Sequence, residues 1–239
     1  MSLRILPVAL LVVTGCSHNV YSPPARLVAL QGPEAIGEGR TAVAGELLAM
    51  DQVFGAPVRG GAVRARRGVS PDLELVGEAA MVRFDDSEGV ETDQDPGIYS
   101  ARVGTKWSPE GLGHHLALTA GLGGGGHTAG GFIAPDLGFV VGYQNPYLVP
   151  FYGMEGGVSV PLAASAVDTS RNDEEVGAHV DTPITTFSVR STLGMRIPLV
   201  FGWDGPGAVV LGAQNVYLVD TDGRDDTWFG LAGQLEVIF

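Results

Sequence analysis

The sequence predicts an all-β fold: a single antiparallel transmembrane β-barrel of ten strands, with eight as the alternative count. Three observations predict it. Apolar residues recur at every second position through many short segments. Glycine is abundant, 36 of 239 residues, and gathers on the polar side of those segments. The excess negative charge collects in alternate connections. A disordered, low-complexity chain would also be glycine-rich, but here the glycines are interleaved with Val, Leu, Phe and Tyr.

Composition narrows the function classes. Charged residues make up 17% of the chain, against about 25% in an average soluble domain. A net charge of −13 argues against nucleic acid as a partner, since binding phosphates needs Lys and Arg. Cys16 is the one cysteine, so no intramolecular disulfide can form. No run of eighteen apolar residues exists for a transmembrane helix, which leaves barrel strands untouched as an option, because they are short and half polar.

Taken from the start, Arg4 precedes an apolar run at 5–13 and then Val13-Thr14-Gly15-Cys16. The run is too short to span a bilayer and has the length of a secretory signal. Its end resembles the bacterial lipobox, an apolar residue and two small ones before an obligatory Cys. The resemblance implies cleavage before Cys16 and its acylation with palmitate-class chains. Ser17, in place of Asp, implies retention in the outer membrane. Each buried CH₂ of such an anchor contributes about 0.8 kcal/mol. The expected divisions are a signal peptide at 1–15, a lipidated periplasmic linker at 16–40 and a barrel at 41–239. Pro23, Pro24 and Pro33 make the linker aperiodic, with a short strand or helix near 27–30.

Ten strand-like runs follow, at about 41–54, 58–68, 73–84, 97–107, 114–123, 134–144, 147–161, 184–196, 207–219 and 227–239, separated by turn residues. No fixed-period repeat suggests a propeller or solenoid. Alternation is clear in the fourth run, where Tyr99, Ala101, Val103 and Trp107 oppose Ser100, Arg102, Gly104 and Lys106. In the eighth, Phe187, Val189, Leu193, Met195 and Ile197 oppose Ser188, Arg190, Thr192, Gly194 and Arg196. In the last, Phe229, Leu231, Leu235, Val237 and Phe239 oppose Trp228, Gly230, Ala232, Gln234 and Glu236.

Such alternation fits a soluble barrel equally well. Four observations turn the apolar face outward. Gly138, Gly142, Gly194, Gly212 and Gly230 lie on the polar faces, where a narrow lumen has little room for side chains. Charges on those faces are of mixed sign: Arg64, Arg66, Arg102, Lys106, Arg190 and Arg196 can meet Glu74, Glu78, Glu155 and Glu236 across a lumen. Connections 85–96, 162–183 and 220–226 hold fifteen acidic residues against two arginines, while the other ends are tight turns. The chain stops at Phe239, in phase with Leu235 and Val237. This terminus resembles the outer-membrane β-signal read by the barrel-assembly machinery, and the whole pattern resembles the small Gram-negative outer-membrane β-barrel class. Trp107, Tyr143, Tyr147, Tyr152, Trp203, Phe229 and Phe239 are candidates for its interfacial aromatic girdles.

Catalytic and metal motifs are thin. His114-His115 and His127 flank the fifth run, a strand length apart, so they cannot share a metal; no H-E-x-x-H is present. Barrel enzymes that act on lipid pair a His with a nearby Ser, and no His-x-Ser occurs. On the outer rim, only His127 and His179 would qualify for an Asp/His protease. The glycine run 121–126 lacks the Lys-Ser/Thr of a phosphate loop. The run 220–226 resembles part of a calcium loop but lacks its terminal Glu, and Asp222-Gly223 reads as a plain hairpin turn. The expectation is therefore a non-enzymatic barrel without a cofactor or bound metal. Its contacts would be outer-membrane lipid, the assembly machinery and an envelope protein partner. A narrow solute pore is the first alternative and an envelope enzyme the second.

Overall fold

The computed structural model describes residues 21–26, 29–52, 58–84, 97–127, 129–168, 180–199 and 207–239. Ten strands form the barrel: β1 (Thr41–Gln52), β2 (Val58–Gly68), β3 (Leu73–Phe84), β4 (Gly97–Trp107), β5 (Leu116–His127), β6 (Gly130–Gly142), β7 (Val149–Leu162), β10 (Thr186–Pro198), β11 (Gly207–Asp220) and β12 (Asp225–Ile238). Between β7 and β10, β8 (Val167–Asp168) and β9 (Val180–Asp181) pair as a separate small hairpin. Every barrel strand is antiparallel to its neighbours in the chain, and the sheet closes by pairing β1 with β12. At that seam Thr41 N donates to Phe239 O (3.1 Å) and Phe239 N donates to Thr41 O (2.8 Å).

The strands form where period-two alternation predicts, with two shifts. β5 runs on to His127, because Gly123 to Gly126 pair with both β4 and β6; composition alone reads such a run as a loop exit. β6 starts at Gly130 and carries Pro135 within it. Its pairing with β7 skips Ala134 and Pro135, as expected where a proline brings no N–H.

The inverted arrangement is observed. Leu47, Val103 and Leu137 point outward at 76%, 68% and 70% exposure, whereas Arg64 and Lys106 are buried at 1% and 0%. Burying a large apolar side chain is worth about 1.5–3 kcal/mol, so in water such a belt would forgo much of that gain, while in hydrocarbon it is satisfied. Among the described residues, the charged side chains on outward strand faces are Asp51, Arg59, Arg67, Arg83 and Asp225. Each lies within one residue of a strand end, outside the central belt. A closed sheet leaves no unpaired backbone edge, which hydrocarbon requires. The two rims differ as the connections predict. One, the turn rim, carries the short links at 69–72, 108–115 and 143–148 together with Phe239. The other, the loop rim, carries 163–168, 180–185 and 221–224; the long connection 85–96 and residues 169–179 lie outside the described residues.

One expectation fails. Of the stretch 21–36, read as periplasmic linker, the described residues 21–26 and 29–36 lie inside the barrel. Ser22 binds Thr186 and Ser159 near the loop rim, and Ile36 binds Glu74 near the turn rim. The chain then reverses through Gly37 and Gly39, both at positive φ (86° and 75°), and enters β1. The prolines that made this stretch look like a linker suit it to the lumen: they lack the N–H groups that a buried extended chain would otherwise have to satisfy. The expected signal peptide at 1–15, Cys16 and residues 17–20 lie outside the described residues.

Heat modifiability tests the closed barrel. In a membrane fraction, unboiled protein should migrate on a denaturing gel at a position different from boiled protein. Identical migration would argue against a barrel.

Candidate functional site

The inward positions of the strands build a charged interior. Arg64 lies between β1 and β3: Nη2 donates to Glu46 Oε2 (2.8 Å) and Nε to Glu78 Oε2 (2.7 Å). Arg66 joins Glu74 (3.2 Å) to Glu236, and Glu236 also receives Arg196 Nη2 (3.2 Å). Lys106 Nζ lies 3.9 Å from Glu74, Arg190 pairs with Glu155, and Arg102 Nε donates to Asp136 (2.6 Å). All ten charges singled out from the sequence point inward. Arg26, Glu34, Glu46 and Asp136 join them, so seven cations face seven carboxylates among the described residues. Balance is what burial demands, because a buried charge without a counter-charge costs several kcal/mol.

Residues 21–36 thread this network as a plug. Near the loop rim Ser22 N donates to Thr186 Oγ1 (3.1 Å), and Ser159 Oγ donates to Pro23 O (2.7 Å). At mid-depth Arg26 reaches Glu78 on β3 and Glu155 on β7, both at 3.1 Å, while Arg190 on β10 donates to the Arg26 carbonyl. Leu30 N donates to Glu46 (3.0 Å), and Arg64 Nη1 donates to Leu30 O (2.8 Å). Lower still, Lys106 donates to Glu34 O and the Glu34 carboxylate lies 3.1 Å from Arg196. The wall's charged side chains thus serve as hydrogen-bond partners for the plug's backbone.

Inward glycines make the space. A Cβ on Gly212 would stand 2.5 Å from Leu30 Cδ2, one on Gly123 would stand 2.4 Å from Ala25 Cβ, and one on Gly142 would stand 3.0 Å from Pro33. Gly121 leaves room for the Arg102 guanidinium, 2.3 Å from the Cβ position. Two small clefts lie beside the plug, one between Arg26 and β6, β7 and β10, the other beside Ala29 and Gln31.

The other singled-out residues fall elsewhere. His114 and His115 sit at the turn rim and His127 at the opposite end of β5. His114 Nδ1 lies 2.8 Å from Ser108 O and 3.1 Å from Ser108 Oγ. The closer contact is to a carbonyl, which needs a proton on Nδ1. That nitrogen therefore cannot also accept the Ser108 hydroxyl proton, and the pair closes the turn. His115 Nδ1 lies 3.0 Å from Gly142 O and its ring stacks on Tyr143. The Asp220 carboxylate accepts Asp222 N, Arg224 N and Arg224 Nε, so the acidic run forms a self-satisfied hairpin. Among the described residues, no three His, Cys, Asp or Glu side chains converge to hold a metal. Tyr143, Tyr147 and Phe239 are strongly exposed at the turn rim, with Trp107 and Tyr152 near it, and Phe229 lies toward the loop rim. Trp203, His18 and His179 lie outside the described residues.

No protein-family model matches the chain, and neither does any curated protein. Solved structures that resemble it are barrels. The N-terminal β-barrel domain of Pseudomonas aeruginosa OprF aligns over 84% of this chain and 98% of its own, at 10% identity and a TM-score of 0.37. Neisserial surface protein A aligns over 83% and 95%, at 9% identity and 0.42. An outer membrane channel from Pseudomonas putida F1 aligns over 89% and 100%, at 10% identity and 0.44. Overlap this loose says nothing about activity, so the functional reading rests on this chain's own residues.

The fit of plug to wall gives a double-mutant test. Gly212→Val should destabilise the folded barrel by about 1–3 kcal/mol through overpacking, read as a lower urea midpoint in detergent micelles. Adding Leu30→Ala should recover part of the loss. Independent, additive effects would show that Leu30 does not lie against Gly212.

Proposed function

We propose that the protein is a sealed outer-membrane β-barrel lipoprotein of a Gram-negative envelope, with a structural, assembly or partner-docking role and no catalysis. One observation carries the reading: the lumen is filled by the chain's own residues 21–36, held by ion pairs and backbone hydrogen bonds to β1, β2, β3, β4, β7 and β10. A barrel built to pass solute keeps its axis open or lines it with water, whereas this one spends its lumen charges on holding a plug.

Several features support the membrane and its orientation. The apolar belt and edgeless sheet suit hydrocarbon. The acidic connections gather on one rim, which fits long outer loops over short periplasmic turns. Export behind the lipobox-like segment and the terminal Phe239 fit delivery to the assembly machinery. In this orientation the turn rim faces the periplasm and the loop rim the exterior. The exposed residues 163–166 and 221–223 then belong to the surface available to an envelope partner.

Two experiments test the reading. In planar bilayers the full-length protein should be electrically silent, and deletion of residues 21–36 should yield steady single-channel currents, provided the deleted protein keeps its heat-modifiable band. Steady currents from the intact protein would establish a narrow pore instead. Separately, cells grown with labelled palmitate should incorporate it into the protein, and Cys16→Ala should abolish incorporation. Label persisting in that variant would refute the anchor.

A further inference from the structure

The plug has a direction, and it reverses the expected position of the amino terminus. Ile36 and the Gly37–Arg40 turn lie at the turn rim, where β1 begins. From there, read backwards, the chain passes Glu34, Leu30 and Arg26 and arrives at Ser22, bonded to Thr186 and Ser159. Thr186 opens β10, and Ser159 lies three residues from the end of β7. Tyr21 then bridges Ile184, two residues beyond the barrel wall in the loop-rim connection. The described chain therefore enters the lumen at the turn rim and leaves it at the loop rim.

Chain length decides what this means for the anchor. Tyr21 is five Cα-to-Cα steps from Cys16, and a fully extended chain spans at most about 3.6 Å per step, so about 18 Å in all. A bilayer's hydrocarbon core is about 30 Å thick. A segment that leaves the lumen at one rim cannot reach the leaflet at the other with that much chain. The way back through the lumen is already occupied by residues 21–36.

We infer that the mature amino terminus is delivered through the protein's own lumen to the cell surface, so that the acyl chains carried by Cys16 insert in the outer leaflet and not in the periplasmic one. The inference rests on the membrane orientation and on the Cys16 anchor proposed above. It makes the protein a surface-facing lipoprotein that supplies its own route across the membrane.

The lysine content of the chain provides a clean test. Lys106 is the only lysine, and it is fully buried in the lumen. Three single variants each add an accessible amine: His18→Lys beside the proposed exit, Asp222→Lys at the loop rim and Glu110→Lys at the turn rim. Intact cells are treated with an amine-reactive polyethylene-glycol reagent too large to cross the outer membrane, and modification is read as a gel shift against wild type. The expected result is modification of the His18→Lys and Asp222→Lys proteins on intact cells, and of Glu110→Lys only after permeabilisation. His18→Lys modified only after permeabilisation, with Asp222→Lys modified on intact cells, would overturn the inference and leave the orientation standing. Glu110→Lys modified on intact cells and Asp222→Lys protected would overturn the orientation itself. Because the added lysines are point changes outside the barrel strands, an unchanged heat-modifiable band checks that each variant has folded.

Discussion

A ten-stranded ring with glycines on its inner face encloses more volume than its own side chains fill, and whatever fills the rest must have its backbone polar groups satisfied. That constraint organises the molecule. The plug's carbonyls and N–H groups are taken by Arg64, Arg190, Lys106, Glu46 and Glu74, side chains that are themselves paired across neighbouring strands. Wall and plug therefore complete one another. Without the plug, Arg64, Lys106 and Arg190 each lose an acceptor in a region of low dielectric, where an unpartnered polar group is most costly. Without the wall's charges, an extended segment would have no partners for its backbone.

How much of this was legible in the sequence follows from what leaves a periodic trace. β4, β10 and β12 are covered on the outside by lipid and on the inside mostly by polar groups, so apolar and polar residues alternate over most of their length and both strand and facing can be read directly. The Gly123 to Gly126 segment of β5 carries no such trace. Its outward positions are glycines too, and only pairing to β4 and β6 makes it a strand. Glu46 lies among Ala42, Ala44 and Leu48, inward residues that are small or apolar, and so did not stand out as a lumen charge. Asp136 follows Pro135, which reads as a break.

Arg26 and Glu34 were hidden for a different reason. A lumen plug is surrounded on all sides, so it needs no amphipathic period, and its prolines give it the composition of a linker. One signal was available. Sixteen residues holding Arg26, Leu30, Glu34 and Ile36 at four- and two-residue spacings are more charged and more apolar than a spacer needs to be, and the wall's inward glycines leave space that its own side chains do not fill.

The seam between β1 and β12 acquires a temporal meaning from the plug. β1 is joined to the plug by the tight Gly37–Arg40 turn, and β12 is the strand that closes the ring against it. Once these two edges zip together, the ring is continuous and nothing can be passed sideways into its interior. The amino-terminal segment must already be laid against the open, curling sheet when the edges meet, since threading afterwards would require pulling it lengthwise past the lumen's paired charges. The topology thus links the placing of the plug to the closing of the seam.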